Sequence, residues 1–94
     1  MVVTLRFLGA LRHHSGKDTL SLDCQKDASI LDLVNAATMH SPTLRRNLLD
    51  EQLEIPKPNA LILVNGREIS VLNGLQTKVK HGDEVVFVPV VHGG

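Results

Sequence analysis

The stretch Gly82-Asp83-Glu84-Val85-Val86-Phe87-Val88-Pro89-Val90-Val91-His92-Gly93-Gly94 decides how this sequence is read. Its first part is a tight turn, Lys80-His81-Gly82-Asp83, running into a strand from Glu84 to Val88 that is apolar on both faces and so suits the interior of a sheet. Pro89 has no N–H to give to a ladder, so regular pairing should end close to it. Beyond it a stalk is expected. Gly93 and Gly94 lack a Cβ, which leaves the carboxylate of Gly94 on a thin, conformationally free support reaching about 3.3 Å per residue beyond the folded body.

Working back from this strand, Ala60-Leu61-Ile62-Leu63-Val64 is a second run apolar on both faces. Ile55-Pro56-Lys57-Pro58-Asn59 breaks any helix before it, and Asn65-Gly66 after it is a strong hairpin signal with Arg67-Glu68-Ile69 as the short return. Leu63 is expected to face the main helix. Asn73-Gly74 marks a further turn. At the start of the chain, Val3, Leu5 and Phe7 alternate with Thr4 and Arg6 in a strand ending at Gly9. The turn-rich stretch from His13 to Asp18 reads as the long loop of a hairpin whose second strand carries Leu20 and Leu22. The period then changes. Ser29 precedes Ile30, Leu33, Val34 and Ala37, spaced i, i+3, i+4 and i+7, with Asp32 completing a variant capping box, which predicts a helix from about Ile30 to Met39. Ser41-Pro42 repeats the start signal for a shorter helix with Leu44, Leu48 and Leu49 on its apolar side. One helix across one face of a small mixed sheet, with the first and last strands central, is the economical packing.

Ninety-four residues, 43% apolar and 21% charged, form one ordinary globular domain. A chain of this size buries only roughly 60 to 65% of its unfolded surface, so its core is small. Ten basic residues balance ten acidic ones, and Phe7 and Phe87 are the only aromatics. Neither a nucleic-acid surface nor an anionic membrane is expected as partner. The single cysteine, Cys24, can make no intrachain disulfide and fits a reducing, cytoplasmic setting. No apolar run approaches the ~20 residues of a membrane span.

The succession of an opening hairpin, a Ser-capped helix, Leu61-Ile62-Leu63-Val64-Asn65-Gly66, Gly82-Asp83-Glu84-Val85, and Phe87-Val88-Pro89-Val90 running into Gly93-Gly94 resembles the ubiquitin-like β-grasp proteins of the MoaD/ThiS group over the whole chain. The length and the segment from Ser41 to Asn59 look most like the small subunit of molybdopterin synthase and the archaeal small modifiers. The resemblance implies an α+β fold: a mixed four- to five-stranded sheet, one main helix packed on one face and a short second helix. It divides the chain into a β-grasp domain at 1–90 and a flexible Gly-Gly tail at 91–94.

It also implies a function in which the reactive group is the chain's own terminus. A carboxylate is a poor electrophile because its charge repels nucleophiles and its oxygen leaves badly. A ubiquitin-activating-type enzyme using ATP would join Gly94 to AMP, and a persulfide sulfur would lead on to a thiocarboxylate. In molybdopterin synthase that sulfur goes to a pterin precursor in the large subunit. The chain would then be a recharged carrier, with no bound cofactor or metal and no catalysis of its own. Val90, Val91, His92 and Gly93, with Pro89 and the surroundings of Phe87, would dock the tail to its partners. His92, where such tails more often carry a small residue, and Val88, in place of the first of a common Pro pair, bear on which partner fits. Two other readings stand beside this one: a modifier joined through Gly94 to lysines of target proteins, and a non-covalent β-grasp binding module whose tail is incidental.

Other candidates carry less. His13, His14, His40, His81 and His92 show no metal-ligand spacing and read as solvated loop residues. Cys24 lacks a catalytic companion, Arg45-Arg46 reads as a solvated face, and the glycines form no phosphate loop.

Overall fold

The computed structural model describes residues 1–50, 52–53, 55–56 and 60–90. Strand β1, Val2–Phe7, buries Val3, Leu5 and Phe7. It pairs antiparallel with β2, Thr19–Asp23, and parallel with the last strand, β7, Glu84–Pro89. β7 in turn pairs antiparallel with β5, Ala60–Val64, from Ala60↔Pro89 to Val64↔Val85, and β5 continues into the short β6, Arg67–Glu68. The sheet order β2-β1-β7-β5-β6 places the first and last strands inside, as the pattern predicts.

Helix α2, Ile30–Ala37, lays Ile30, Leu33 and Val34 into the same core as Val3, Leu5, Ile62, Val85 and Phe87. Its start is the expected reciprocal cap: the Asp32 N–H donates to Ser29 Oγ at 3.2 Å and the Ser29 N–H to Asp32 Oδ2 at 2.9 Å. The helix stops two residues before Met39. Thr38 turns its hydroxyl back to the Val34 carbonyl at 2.6 Å, which ends the ladder, and Met39 stands 70% exposed.

Helix α3, Pro42–Leu48, is capped by Ser41 Oγ, which accepts from the Leu44 N–H at 3.3 Å. Leu44 and Leu48 are buried as expected. Leu49 instead leaves the helix and opens a two-stranded sheet, β3 (Leu49–Asp50) with β4 (Ile55–Pro56), which no local pattern announces. The long hairpin loop is also corrected. It contains helix α1, Ala10–Ser15, which buries Leu11 against the core, touches α3, and closes at Gly16, whose N–H reaches the Arg12 carbonyl at 3.1 Å. At six residues, without a side-chain N-cap, α1 has too little periodicity to announce itself.

Leu63 faces the other way from the expected direction. Ile62 pairs with Phe87 and Val64 with Val85, so Ala60, Ile62 and Val64 point to the helix side and are buried, while Leu61 and Leu63 lie on the outer face. A run that is apolar at every position carries no parity. The facing is set instead by pairing with β7, Leu63 opposite Val86 and Val64 opposite Val85, while the turn, where Asn65 (φ 50°) and Gly66 (φ 85°) both take the positive φ of a two-residue type I′ hairpin, fixes how β5 pairs with β6. Among the described residues no helix is long and apolar enough to cross a membrane.

Candidate functional site

The Gly-Asp-Glu turn proves to be a clamp that launches β7. Asp83 Oδ2 accepts from the Lys80 N–H at 2.7 Å, and Asp83 Oδ1 accepts from Asn65 Nδ2 at 2.9 Å. Asn65 Oδ1 takes the Glu84 N–H at 2.9 Å, while the Asn65 N–H donates to the Glu84 carbonyl at 2.8 Å. Two sequence motifs, Asn65-Gly66 and Gly82-Asp83-Glu84, thus lock each other. The start of β1 is tied to the same turn: the Gly82 N–H bonds the Val2 carbonyl at 2.8 Å, and His81 Nδ1 accepts from the Val2 N–H at 3.0 Å. His81 therefore has a structural partner that its sequence spacing did not reveal.

The other end of β7 leads through Pro89 to Val90, the last of the described residues. Phe87 is fully buried and stacks on Phe7, so its ring anchors the strand from inside, and a docking role in this region falls to its surroundings rather than to the ring itself. The Phe87 carbonyl accepts from the Leu8 N–H at 3.0 Å, one residue beyond the paired part of β1. Pro89 then sits against Gly9. A Cβ built on Gly9 would stand 2.8 Å from Pro89 Cγ, and Gly9 has φ +56°. Pro89 and Val90 are half-buried. The remaining docking and reactive residues named from the sequence, Val91, His92, Gly93 and Gly94, lie outside the described residues.

Two surfaces lie by this end of β7. On the outer face of the sheet, the cross-strand pairs Leu61↔Val88 and Leu63↔Val86 form an apolar strip, with Leu61 37% exposed. These side chains sit on the sheet face opposite the core. Beside Gly9, a groove of about 420 Å³ is lined by Gly9, Arg12, His13, Gly16, Lys17 and Asp18. Neither the strip nor the groove stands out in the sequence. Partial signals for both are present, since a glycine directly after an alternating strand and an apolar run with no polar face each demand an explanation.

Elsewhere the chemistry is structural. The Asp32 carboxyl is held below its ordinary value chiefly by the Ser29 N–H, then by the Ser29 side chain, with Lys78 adding a smaller attraction. Arg45 is more than a solvated charge, since its Nη1 reaches Asn35 Oδ1 at 2.6 Å and bridges α3 to α2. His13 and His14 lie on α1 rather than in a loop. Cys24 is a half-buried free thiol. Among the described residues no group of three His, Cys, Asp or Glu side chains could hold a metal ion.

This five-stranded mixed sheet with its packed helix is a ubiquitin-like β-grasp fold. The ThiS family pattern matches residues 5–94, and the chain belongs to that family, whose members are small carrier and modifier proteins rather than enzymes. It is similar to small archaeal modifier protein 3 of Haloferax volcanii, at 31% identity over 94 residues covering 100% of both chains. The solution structure of small archaeal modifier protein 1 from Methanosarcina acetivorans matches with a TM-score of 0.82 at 31% identity, covering 99% of this chain and 96% of that one. A chain in the BexX/CysO complex from Amycolatopsis orientalis matches with a TM-score of 0.79 at 25% identity, covering 98% of this chain and 99% of that one.

Proposed function

We propose that this chain is a sulfur carrier whose Gly94 carboxylate is the reacting group, and that it serves as the small subunit of a molybdopterin synthase. The observation that supports this reading is the construction of the β7 exit. The strand that leads to the tail is paired on both sides, stacked through Phe87 and stopped against Gly9. A body built this way presents the residues after Val90 from a fixed point beside an apolar docking strip. The Gly-Gly sequence is suited to a narrow channel because it carries no side chains.

The chemistry runs in three steps. The Gly94 carboxylate attacks the α-phosphorus of ATP held by an adenylating enzyme, giving an acyl-adenylate and pyrophosphate. A persulfide sulfur attacks the acyl carbon and AMP leaves. A thiol then cleaves the resulting acyl disulfide, leaving the thiocarboxylate and a new disulfide. ATP and the acid–base groups belong to the partner, and this chain binds no cofactor. The large subunit of the synthase would receive the sulfur, in the cytoplasm where ATP is supplied.

End-to-end similarity to a small archaeal modifier protein favours a second reading, in which the same adenylate is captured by a lysine of a target protein. A strain lacking this chain separates the two. Loss of molybdenum-cofactor activity, restored by the parent chain without any tagged protein ladder, supports the carrier. Ladders dependent on Gly94 with cofactor activity intact support the modifier.

A further inference from the structure

The contact between Gly9 and Pro89 has no evident role in building the core, since Gly9 is exposed and belongs to the turn between β1 and α1. It nevertheless brings the turn after β1 against Pro89, the last residue of β7. Pro89 has its φ fixed by its ring, and its own pairing partner Ala60 holds it from one side. From the β1 side, the Leu8 N–H holds the Phe87 carbonyl, and the next residue, Gly9, lies so near the ring that a Cβ would come within 2.8 Å of Cγ. Real Cβ atoms essentially never come that close, so any side chain at position 9 must push Pro89 or the turn aside.

We infer that Gly9 is a positioning residue for the tail: by carrying no side chain it lets the Pro89 ring seat, and so sets the point and direction from which residues 91–94 leave the body. This rests on the carrier reading above. When the apolar strip is docked on a partner while the tail occupies that partner's channel, the span between docking face and reacting carbon is fixed at both ends. The four residues after Val90 could reach about 13–14 Å at most if fully extended. A shift at their base then becomes a misplacement of the carboxylate, and misplacements of about 1 Å cost up to 10²-fold in a positioned reaction. Gly9 touches no reacting atom and acts only through Pro89.

The test is a double-mutant cycle on the full-length chain, with Gly9→Ala, Pro89→Ala and the combined variant charged by the adenylating enzyme and ATP. Adenylation rates are measured across carrier concentration, and folding is followed by thermal unfolding. Gly9→Ala is expected to lower kcat about ten-fold or more with KM within about two-fold of the parent, because the docking strip is untouched. Pro89→Ala, which puts no strain on Gly9, is expected to fold normally and lower kcat a few-fold. The combined variant should lose less than the product of the two single losses, because the ring atoms that the new methyl group displaces are gone, while the strain of a side chain at φ +56° is common to both backgrounds. Parental kcat in the Pro89→Ala variant, or independent, multiplying losses in the combined one, overturns the inference. A loss in Gly9→Ala confined to the folded fraction, with kcat per folded molecule unchanged, also overturns it. Failure of the parent itself to be adenylated overturns the carrier reading instead, and is told apart by that control.

Discussion

The rings of Phe7 and Phe87 lie nearly parallel, their centroids 5.0 Å apart and their planes 10° from each other, at paired positions of the two central strands. The only two aromatic side chains of the protein are thus committed to one contact in the middle of the sheet. That contact ties the start of the chain to the strand that delivers its end.

Phe87→Ala removes a fully buried ring and one half of the stack. The expected cost is about 3–5 kcal/mol, a large part of the ~5–15 kcal/mol typical of a folded domain. Urea unfolding should show a much lower midpoint with a similar slope. A loss below about 1 kcal/mol would place Phe87 outside the core.

Ile62 and Leu63 are neighbours in β5 with opposite fates. Ile62→Ala should cost about 2–5 kcal/mol because it empties a buried site, whereas Leu63→Ala, on the half-buried outer face, should cost under about 1.5 kcal/mol. Adenylation kinetics should show the reverse, with Leu63→Ala raising KM at unchanged kcat. Equal stability losses, or no change in KM, would contradict the assignment of the strip as a docking face.

The capping box gives an acid-side signature. Asp32 has its carboxyl lowered from 3.8 in the folded chain, so the bond to Ser29 contributes stability that is fully present above pH 3.8 and is lost as the pH falls through the lower folded value. The difference in stability between parent and Asp32→Asn should therefore be constant from neutral pH down to about 5 and shrink below 3.8. Chemical unfolding at stepped pH measures it. A difference that grows on acidification has the wrong sign. Ser29→Ala, which removes the other half of the box, should cost about 0.5–2 kcal/mol.

The sheet and main helix are legible in the sequence because their signals are periodic and local. Val3, Leu5 and Phe7 alternate, Ile30, Leu33 and Val34 repeat at helical spacing, and Asn65-Gly66 has a conformation that few other dipeptides accept. The facing of Leu63 is not legible, since register comes from pairing with Val86, far along the chain, and an all-apolar run fits either parity. Helix α1 is hidden by its length and by two histidines that read as loop residues. The exit site is half visible: Pro89 announces the end of pairing, but that Gly9 is what it rests against is a tertiary fact. Asp83 and Asn65 read as separate turn signals, and only the fold shows that each is the other's partner.

The carboxylate of Gly94 is the centre of the proposed chemistry, and intact-mass measurement after incubation with adenylating enzyme, ATP and a persulfide donor tests it most directly. Deleting Gly94 shortens the reach by about 3.3–3.6 Å, and adding one residue after it turns the carboxylate into an amide. Both variants should keep the parent's unfolding temperature, since the core ends with β7. The parent should gain the mass difference of one sulfur over one oxygen, and neither variant should gain it. A variant that is charged as fully as the parent would contradict the carrier reading and leave a binding module in its place.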